Sequence, residues 1–380
     1  MPNAGYPTVI SNRMYYQQDP EYFAKIMGDV AKAGAAILGG CCGTQPSHIR
    51  VMQKVLEKVQ PSGHLVAEVV QVEKPDANEQ KTGTYAARHN AKNDLAAKLL
   101  QGEKVIVVEL DPPMTPDVNT FMEGAARYKY AGVDAIDIAD CPIARARIDS
   151  SILACKLHRE LNMTAIPHMT CRDRNINATK ALLLGLNVEG VNNVLTVTGD
   201  PVPAEQRQEV KTVFSYNSAV LAKHINTLND TTFTENPFMV SGALNINAVN
   251  FDSQIRHAQK KIENGVSVLF TQPVMTKEGL ENLKRARREL PVKILGGLIP
   301  VVSYRNACFM EHEIAGIRVD ERIMEMYRDK NREEGEELAV HIVTAIADEM
   351  KEYIDGFYLI TPFSRIGLME RIIRRIRDMK

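Results

Sequence analysis

The chain has 380 residues, 44% of them hydrophobic and 24% charged, with a formal net charge of −1 at pH 7. That balance gives no electrostatic basis for nucleic acid or an anionic membrane surface as a partner, and no apolar run approaches the ~20 residues of a membrane helix. Six cysteines without disulfide-framework spacing, and no charged-then-apolar leader, make a reduced cytoplasmic setting the expectation.

Residues 1–60 come first. The pattern predicts a helix over roughly Glu21–Ala33, a short strand Ala35–Leu38, a Gly-Gly-Cys-Cys-Gly turn and a helix running to Val59. Pro46 falls in the first turn of that last helix, with Thr44 and Ser47 as capping candidates. One strand between two helices has no second layer against which to bury its faces. The region is therefore expected to pack on a barrel or another chain, or to be the remnant of a longer protein. Residues 61–103 read as a connector punctuated by Pro61, Gly63, Pro75 and Gly83, followed by a helix near Ala87–Leu100.

From residue 104 onward, eight apolar runs alternate with helical stretches: Lys104–Leu110, Asp134–Ile138, Met163–Met169, Asn192–Thr198, Phe238–Leu244, Val266–Thr271, Val292–Ile299 and Asp355–Ile360. Parallel strands buried on both faces read as such runs. Eight of them with intervening helices predict a (β/α)8 TIM barrel over residues 104–380, a fold whose chemistry sits at the strand C-termini. The widest gap, between the seventh and eighth runs, holds Arg318–Met326 and the amphipathic stretch Glu333–Tyr353, which predicts an additional helix there.

The ends of the runs carry the candidate chemistry. Glu109, closing the first and followed by Asp111-Pro112-Pro113, is a strand-end carboxylate whose desolvation suits a general acid; pairing with an Arg or Lys in the mouth is an equal reading. Asp200 follows Thr198-Gly199 and offers a rim carboxylate beside a glycine that admits close approach of a ligand, although a capping turn reads more naturally there by itself. His168 stands at the third strand end, where a structural hydrogen-bonded imidazole is the commoner role. Gln272 presents an amide suited to a heterocycle with adjacent N–H and C=O groups. Tyr304 could stack on a flat ligand or pack within a helix, and Lys260 and Lys261 could meet a phosphate or stand solvated. No Ser–His or Cys–His arrangement, clustered magnesium carboxylates or G-x-G-x-x-G loop is visible. The set favours an enzyme holding a flat cofactor and substrate.

The stretches VELDPP, PHMTCRDRN, NNVLTVTGDP, KKIENGV–FTQP and GGLIPVVSYRNA occur in the order and spacing of the methylenetetrahydrofolate reductase family, which residues 100–380 resemble. RDRN and VTGDP further resemble the branch fused behind a homocysteine S-methyltransferase, and PNAGYP with GAAILGGCCGTQPSHI resembles the last part of that methyltransferase barrel. The resemblance implies FAD-dependent reduction of 5,10-methylenetetrahydrofolate to 5-methyltetrahydrofolate with NADH or NADPH, by ping-pong hydride transfer, in a homo-oligomer. By the same resemblance Glu109 is the general acid, Asp200 the carboxylate near flavin and pterin, Gln272 the pterin amide, Tyr304 a stacking aromatic and Arg365 the C-terminal substrate arginine. His168, Thr198, Gly199, Asn245 and Lys261 match flavin-contact positions. Thr198 stands where better-known bacterial members carry an arginine beside the flavin phosphate, a loss that weakens pyrophosphate binding unless Lys260, Lys261, Arg172 or Arg174 substitutes. Cys41 and Cys42 match two of three zinc-binding cysteines in the methyltransferase, and with the third absent no zinc is expected in this chain alone. Two other functions stay open: a folate- or flavin-binding subunit reduced by an electron-transfer partner, and a zinc methyltransferase fragment completed by another chain.

Overall fold

The computed structural model describes residues 7–10, 13–16, 19–35, 37–41, 43–59 and 93–379, in two compact units spanning residues 1–82 and 83–380. In the first unit, strands β1 (Pro7–Ile10) and β2 (Arg13–Tyr16) pair antiparallel, a pairing absent from the sequence expectation. Helix α1 (Pro20–Lys32) opens on Asp19, whose carboxylate accepts from Tyr22 N at 2.7 Å. Helix α2 (Pro46–Leu56) opens on Gln45 rather than Thr44 or Ser47, and the Gln45 N–H donates to His48 Nδ1 at 3.1 Å. Phe23, Ala24 and Met27 of α1 bury against Met52 of α2, with Leu38, Val51 and Val55 at the edge. Ala35, Ile37 and Leu38 form no strand: an extended segment is stable only where a neighbour takes its backbone groups. Ala36 and Cys42 lie outside the described residues, as does the connector from 61 to 92.

The first described element of the second unit is helix α3 (Asp94–Leu100), capped by Asn93, whose Oδ1 accepts from Ala96 N at 3.0 Å. Eight strands follow: β3 (Val105–Glu109), β4 (Ala135–Ile138), β5 (Ala165–Thr170), β6 (Asn193–Val197), β7 (Met239–Leu244), β8 (Val268–Pro273), β9 (Lys293–Leu298) and β10 (Gly356–Ile360). They close in sequence order into a parallel barrel, β10 returning to pair with β3. Each of the eight expected runs contains its strand's core. Helices cover the outside: α4 (Asn119–Tyr130), α5 (Ser150–Leu161), α6 (Ile176–Val188), α7 (Ser218–Thr231), α8 (Phe251–Glu263), α9 (Lys277–Glu289) and α13 (Ile366–Arg377). Between β9 and β10 stand three helices, α10 (Tyr304–Glu313), α11 (Glu321–Met326) and α12 (Arg332–Met350), filling the gap that the sequence marked. No helix of the described residues is long and apolar enough to cross a membrane.

Side chains alternate between the two faces of each strand. Ile106, Val108, Ile136 and Ile138 point outward into the helix layer. Val105, Val107, Ala135, Ile166, Leu195, Phe270, Leu295 and Tyr358 fill the interior, and Leu95 and Leu99 of α3 join them as its floor. Asn93 Nδ2 ties that helix to Asn193 Oδ1 at 2.8 Å.

Candidate active site

The same alternation decides what faces the mouth. Counting two residues at a time from the interior layer, Val107 leads to Glu109, Ala135 to Asp137, Ile166 to His168 and Phe270 to Gln272. Glu109 and Asp137 are paired partners on adjacent strands. His168 Nε2 lies 2.6 Å from Asp137 Oδ2, and the Tyr358 hydroxyl donates to Glu109 Oε2. Glu109, Asp137 and His168 each place a donor atom within 4.8 Å of the other two. Asp137 is fully buried, with the Tyr358 hydroxyl facing its carboxylate from β10.

Electrostatics in this cluster follows from burial. Desolvation pushes the Glu109 carboxyl up to about 7, with the neighbouring His168 opposing and Asp137 adding to the rise. Burial by itself disfavours a charged His168, but the adjacent Asp137, by charge and hydrogen bond, and Glu109 together raise the imidazole to about 9. Tyr358 is pushed well above its ordinary value, first by burial and then by Glu109, so it stays a neutral donor. The mouth thus holds a protonatable carboxyl close to neutrality beside the hydrogen-bonded Asp137 and His168.

A second group forms at the rim above β4, β5 and β6. Asp200 is exposed, and its Oδ2 accepts from Ile143 N at 2.8 Å, linking the loops after β6 and β4. Cys141, Ile143 and Ala144 all have positive φ, so this stretch is tightly turned. Gly199 has φ +95, and a methyl there would press on Thr170 Cβ at 3.1 Å and Arg172 Cβ at 3.3 Å. Thr198 is exposed, with its Oγ1 3.4 Å from Ser218 Oγ.

The cations take unexpected places. Buried Arg172 donates to Asp173 at 2.7 Å and to the carbonyls of Cys141 and Asp200 at 3.4 and 3.5 Å. Arg174 bridges Asp140, at 3.0 Å, and Asp149. Lys261 lies between α8 and the barrel wall, its ammonium donating to Ala243 O at 2.6 Å, and burial lowers it to about 8. Arg145 and Arg207 are exposed on the two loops that Asp200 links.

On the opposite side, Gln272 and Asn245 lie beneath the segment around Gly316, and Asn247 Nδ2 donates to Gly316 O at 2.9 Å. Asn245 Oδ1 accepts from Asn247 N at 3.0 Å. Tyr304 begins α10, and the Arg328 guanidinium stacks on its ring at 4.6 Å. Arg365 pairs with Glu336 at 2.7 Å in a groove of about 630 Å³ bordered by Arg127, Arg332 and Phe363. Cys41 is exposed in the first unit, and Cys42 is outside the described residues.

Sequence reading thus isolated Glu109, His168 and Gln272 as separate strand-end groups, and the fold joins the first two through Asp137 and Tyr358. Both linkers were passed over inside apolar runs. The signal was an acidic residue at an interior-parity position of a buried strand, a placement that demands a charged or hydrogen-bonding neighbour.

Comparison with known proteins gives three findings. Residues 1–56 match the homocysteine S-methyltransferase family model. The methionine synthases of Mycobacterium leprae (strain TN) and Mycobacterium tuberculosis (strain ATCC 25618 / H37Rv) are 43% identical over 51 residues, which span 13% of this chain and only 4% of each relative. A Clostridium thermocellum protein described as binding two copies of 5-methyl-5,6,7,8-tetrahydrofolic acid superposes with a TM-score of 0.53 at 17% identity, covering 75% of this chain and 98% of that one, a likeness of fold. Residues 93–376 match the methylenetetrahydrofolate reductase family model, the model extending across the whole barrel and its floor helix, and the chain belongs to that family.

Proposed function

We propose that the barrel reduces 5,10-methylenetetrahydrofolate to 5-methyltetrahydrofolate, with Glu109 as the acid. The observation that carries this reading is the half-buried Glu109 carboxyl, held by Tyr358 and poised at about 7 beside Asp137 and His168. A general acid works best with a pKa near the operating pH. Glu109 gives its proton to N10 of the folate, the N10–methylene bond breaks, and the methylene carbon becomes an N5 iminium. Hydride addition at that carbon completes the N5-methyl group. Gln272, at interior parity on β8, would bind the pterin through its amide. Asp200 supplies rim charge that favours the cationic iminium.

The rim's donor set fits a flavin dinucleotide in one respect. Arg145 and Arg207, the latter with its Nε donating to Val202 O at 3.1 Å, stand exposed on the linked loops and would meet the diphosphate, whereas Arg172, Arg174 and Lys261 hold internal partners. Gly199 and the exposed Thr198 would border it, and Asn245 the ring. When bound, FAD would take hydride from NADH or NADPH and pass it to the folate in separate half-reactions. The internal pairing of Arg172 and Arg174 also favours a second reading, a folate-binding subunit reduced by a partner protein. NAD(P)H oxidation by the purified chain with FAD and a quinone acceptor rules that out.

The decisive variant is Glu109→Gln. It is expected to keep NAD(P)H oxidation with a quinone and to lose folate reduction by about 10²–10⁴-fold. Folate reduction at the normal rate would remove Glu109 as the acid.

A further inference from the structure

Asp137 has no part in the scheme above, yet it is the most deeply buried member of the cluster. Its Oδ2 meets His168 Nε2 at 2.6 Å, and the Tyr358 hydroxyl also faces its carboxylate. A fully buried carboxylate is costly unless a cation stands against it, and a neutral hydroxyl such as that of Tyr358 does not supply one. The groups facing the pair are few: Glu109 and, further along its loop, Asp111 from β3; Asp140, itself held by Arg174, from the β4 loop; and Tyr358 from β10. All are acids or neutral donors. His168 is therefore the group that can neutralise Asp137, and a nitrogen of its ring lies within 4.8 Å of a Glu109 carboxylate oxygen.

We propose that Asp137 is a positioning residue for the acid step, fixing His168 as an imidazolium whose charge stabilises the carboxylate left when Glu109 gives up its proton. The inference rests on the folate reading for the destination of that proton. In the step, one proton leaves Glu109 for N10, no electrons are exchanged with the protein, and water restores the proton after product departs. Without Asp137 the buried ring loses its main reason to be charged. Glu109 then loses the influence that most favours its ionised form, so it becomes a weaker acid.

The test combines nitrogen-15 histidine NMR with the pH profile of folate reduction. In the intact protein the His168 ring, identified by its loss in His168→Gln, is expected to be charged at pH 7, and in Asp137→Asn to be neutral. Asp137→Asn should also lower kcat about tenfold or more, leave KM nearly unchanged and move the fall in rate to higher pH. His168→Gln should shift the profile in the same direction, and the double variant should be no worse than His168→Gln, as expected for groups acting in series. His168→Gln carries the kinetic test if Asp137→Asn does not fold. A neutral ring in the intact protein overturns the inference. So does an unmoved profile in a protein that reduces folate, and that result leaves the function standing. A charged, Asp137-dependent ring in a protein that never reduces folate supports the electrostatic pairing and removes the folate reading instead.

Discussion

Glu109 meets two opposing requirements, since the burial that makes it an acid near neutrality also penalises its ionised form. Its carboxyl is raised from the ordinary range to about 7, so the folded chain holds this proton where the unfolded chain has released it. The contribution to stability is full below about pH 4.5 and is lost as pH rises through about 7. Glu109→Gln is thus expected to melt above the native protein at pH 8, with the gap closing towards pH 4.5 in thermal scans. For the same reason the native folate step should slow as pH rises past about 7. His168 is raised to about 9, so its contribution is whole below about pH 6.5 and fades as pH climbs through about 9. In His168→Gln that alkaline loss of stability should be absent. Lys261 tests a different point. Its ammonium is buried with one carbonyl acceptor and lowered to about 8, an arrangement that opposes folding at neutral pH. Lys261→Met should raise the melting temperature and leave flavin affinity intact. A collapse of flavin binding would restore this lysine to the cofactor site.

At the scale of elements, the strand ends hold the site because the barrel permits little adjustment there. Gly297 of β9 sits where a methyl would run into the Thr271 carbonyl and approach Gln272 C at 2.8 Å, and neither backbone atom can swing aside. The β8–β9 register also shifts at this point, between Phe270 and Pro273. Gly297→Ala is expected to cost about 1–3 kcal/mol, read from the denaturation midpoint, and to weaken folate binding by displacing Gln272. The strands themselves were legible in the sequence, because burial on both faces leaves continuous apolar runs. Ala35, Ile37 and Leu38 have the same local character but no strand neighbour among the described residues, so apolar composition by itself did not make a strand there.

For the whole molecule, the barrel closes on itself through β10 and β3 and fills its interior with its own side chains. A chain of residues 93–380 is therefore expected to fold and to keep folate binding, measured by titration against the full chain. Starting instead at residue 102 removes Leu95 and Leu99 from the barrel floor, and a loss of about 2–5 kcal/mol for each buried leucine is the expected order. Equal stability of the two truncated chains would show that the floor helix adds nothing.

The amino-acid sequence alone determined the eightfold alternation, an additional helix before the last strand and a carboxyl group at the end of the first strand. Each depends on local periodicity or on residue type at a run's end, which a linear reading can count. Tertiary structure decided which charges meet. Asp137 and Tyr358 became partners of His168 and Glu109 only when the closed barrel brought β3, β4, β5 and β10 around one interior. The fold likewise turned Lys261 into the wall and paired Arg172 with Asp173, leaving Arg145 and Arg207 exposed on the rim. Pairing across strands depends on closure and register, and neither is written in the spacing of residues along one strand.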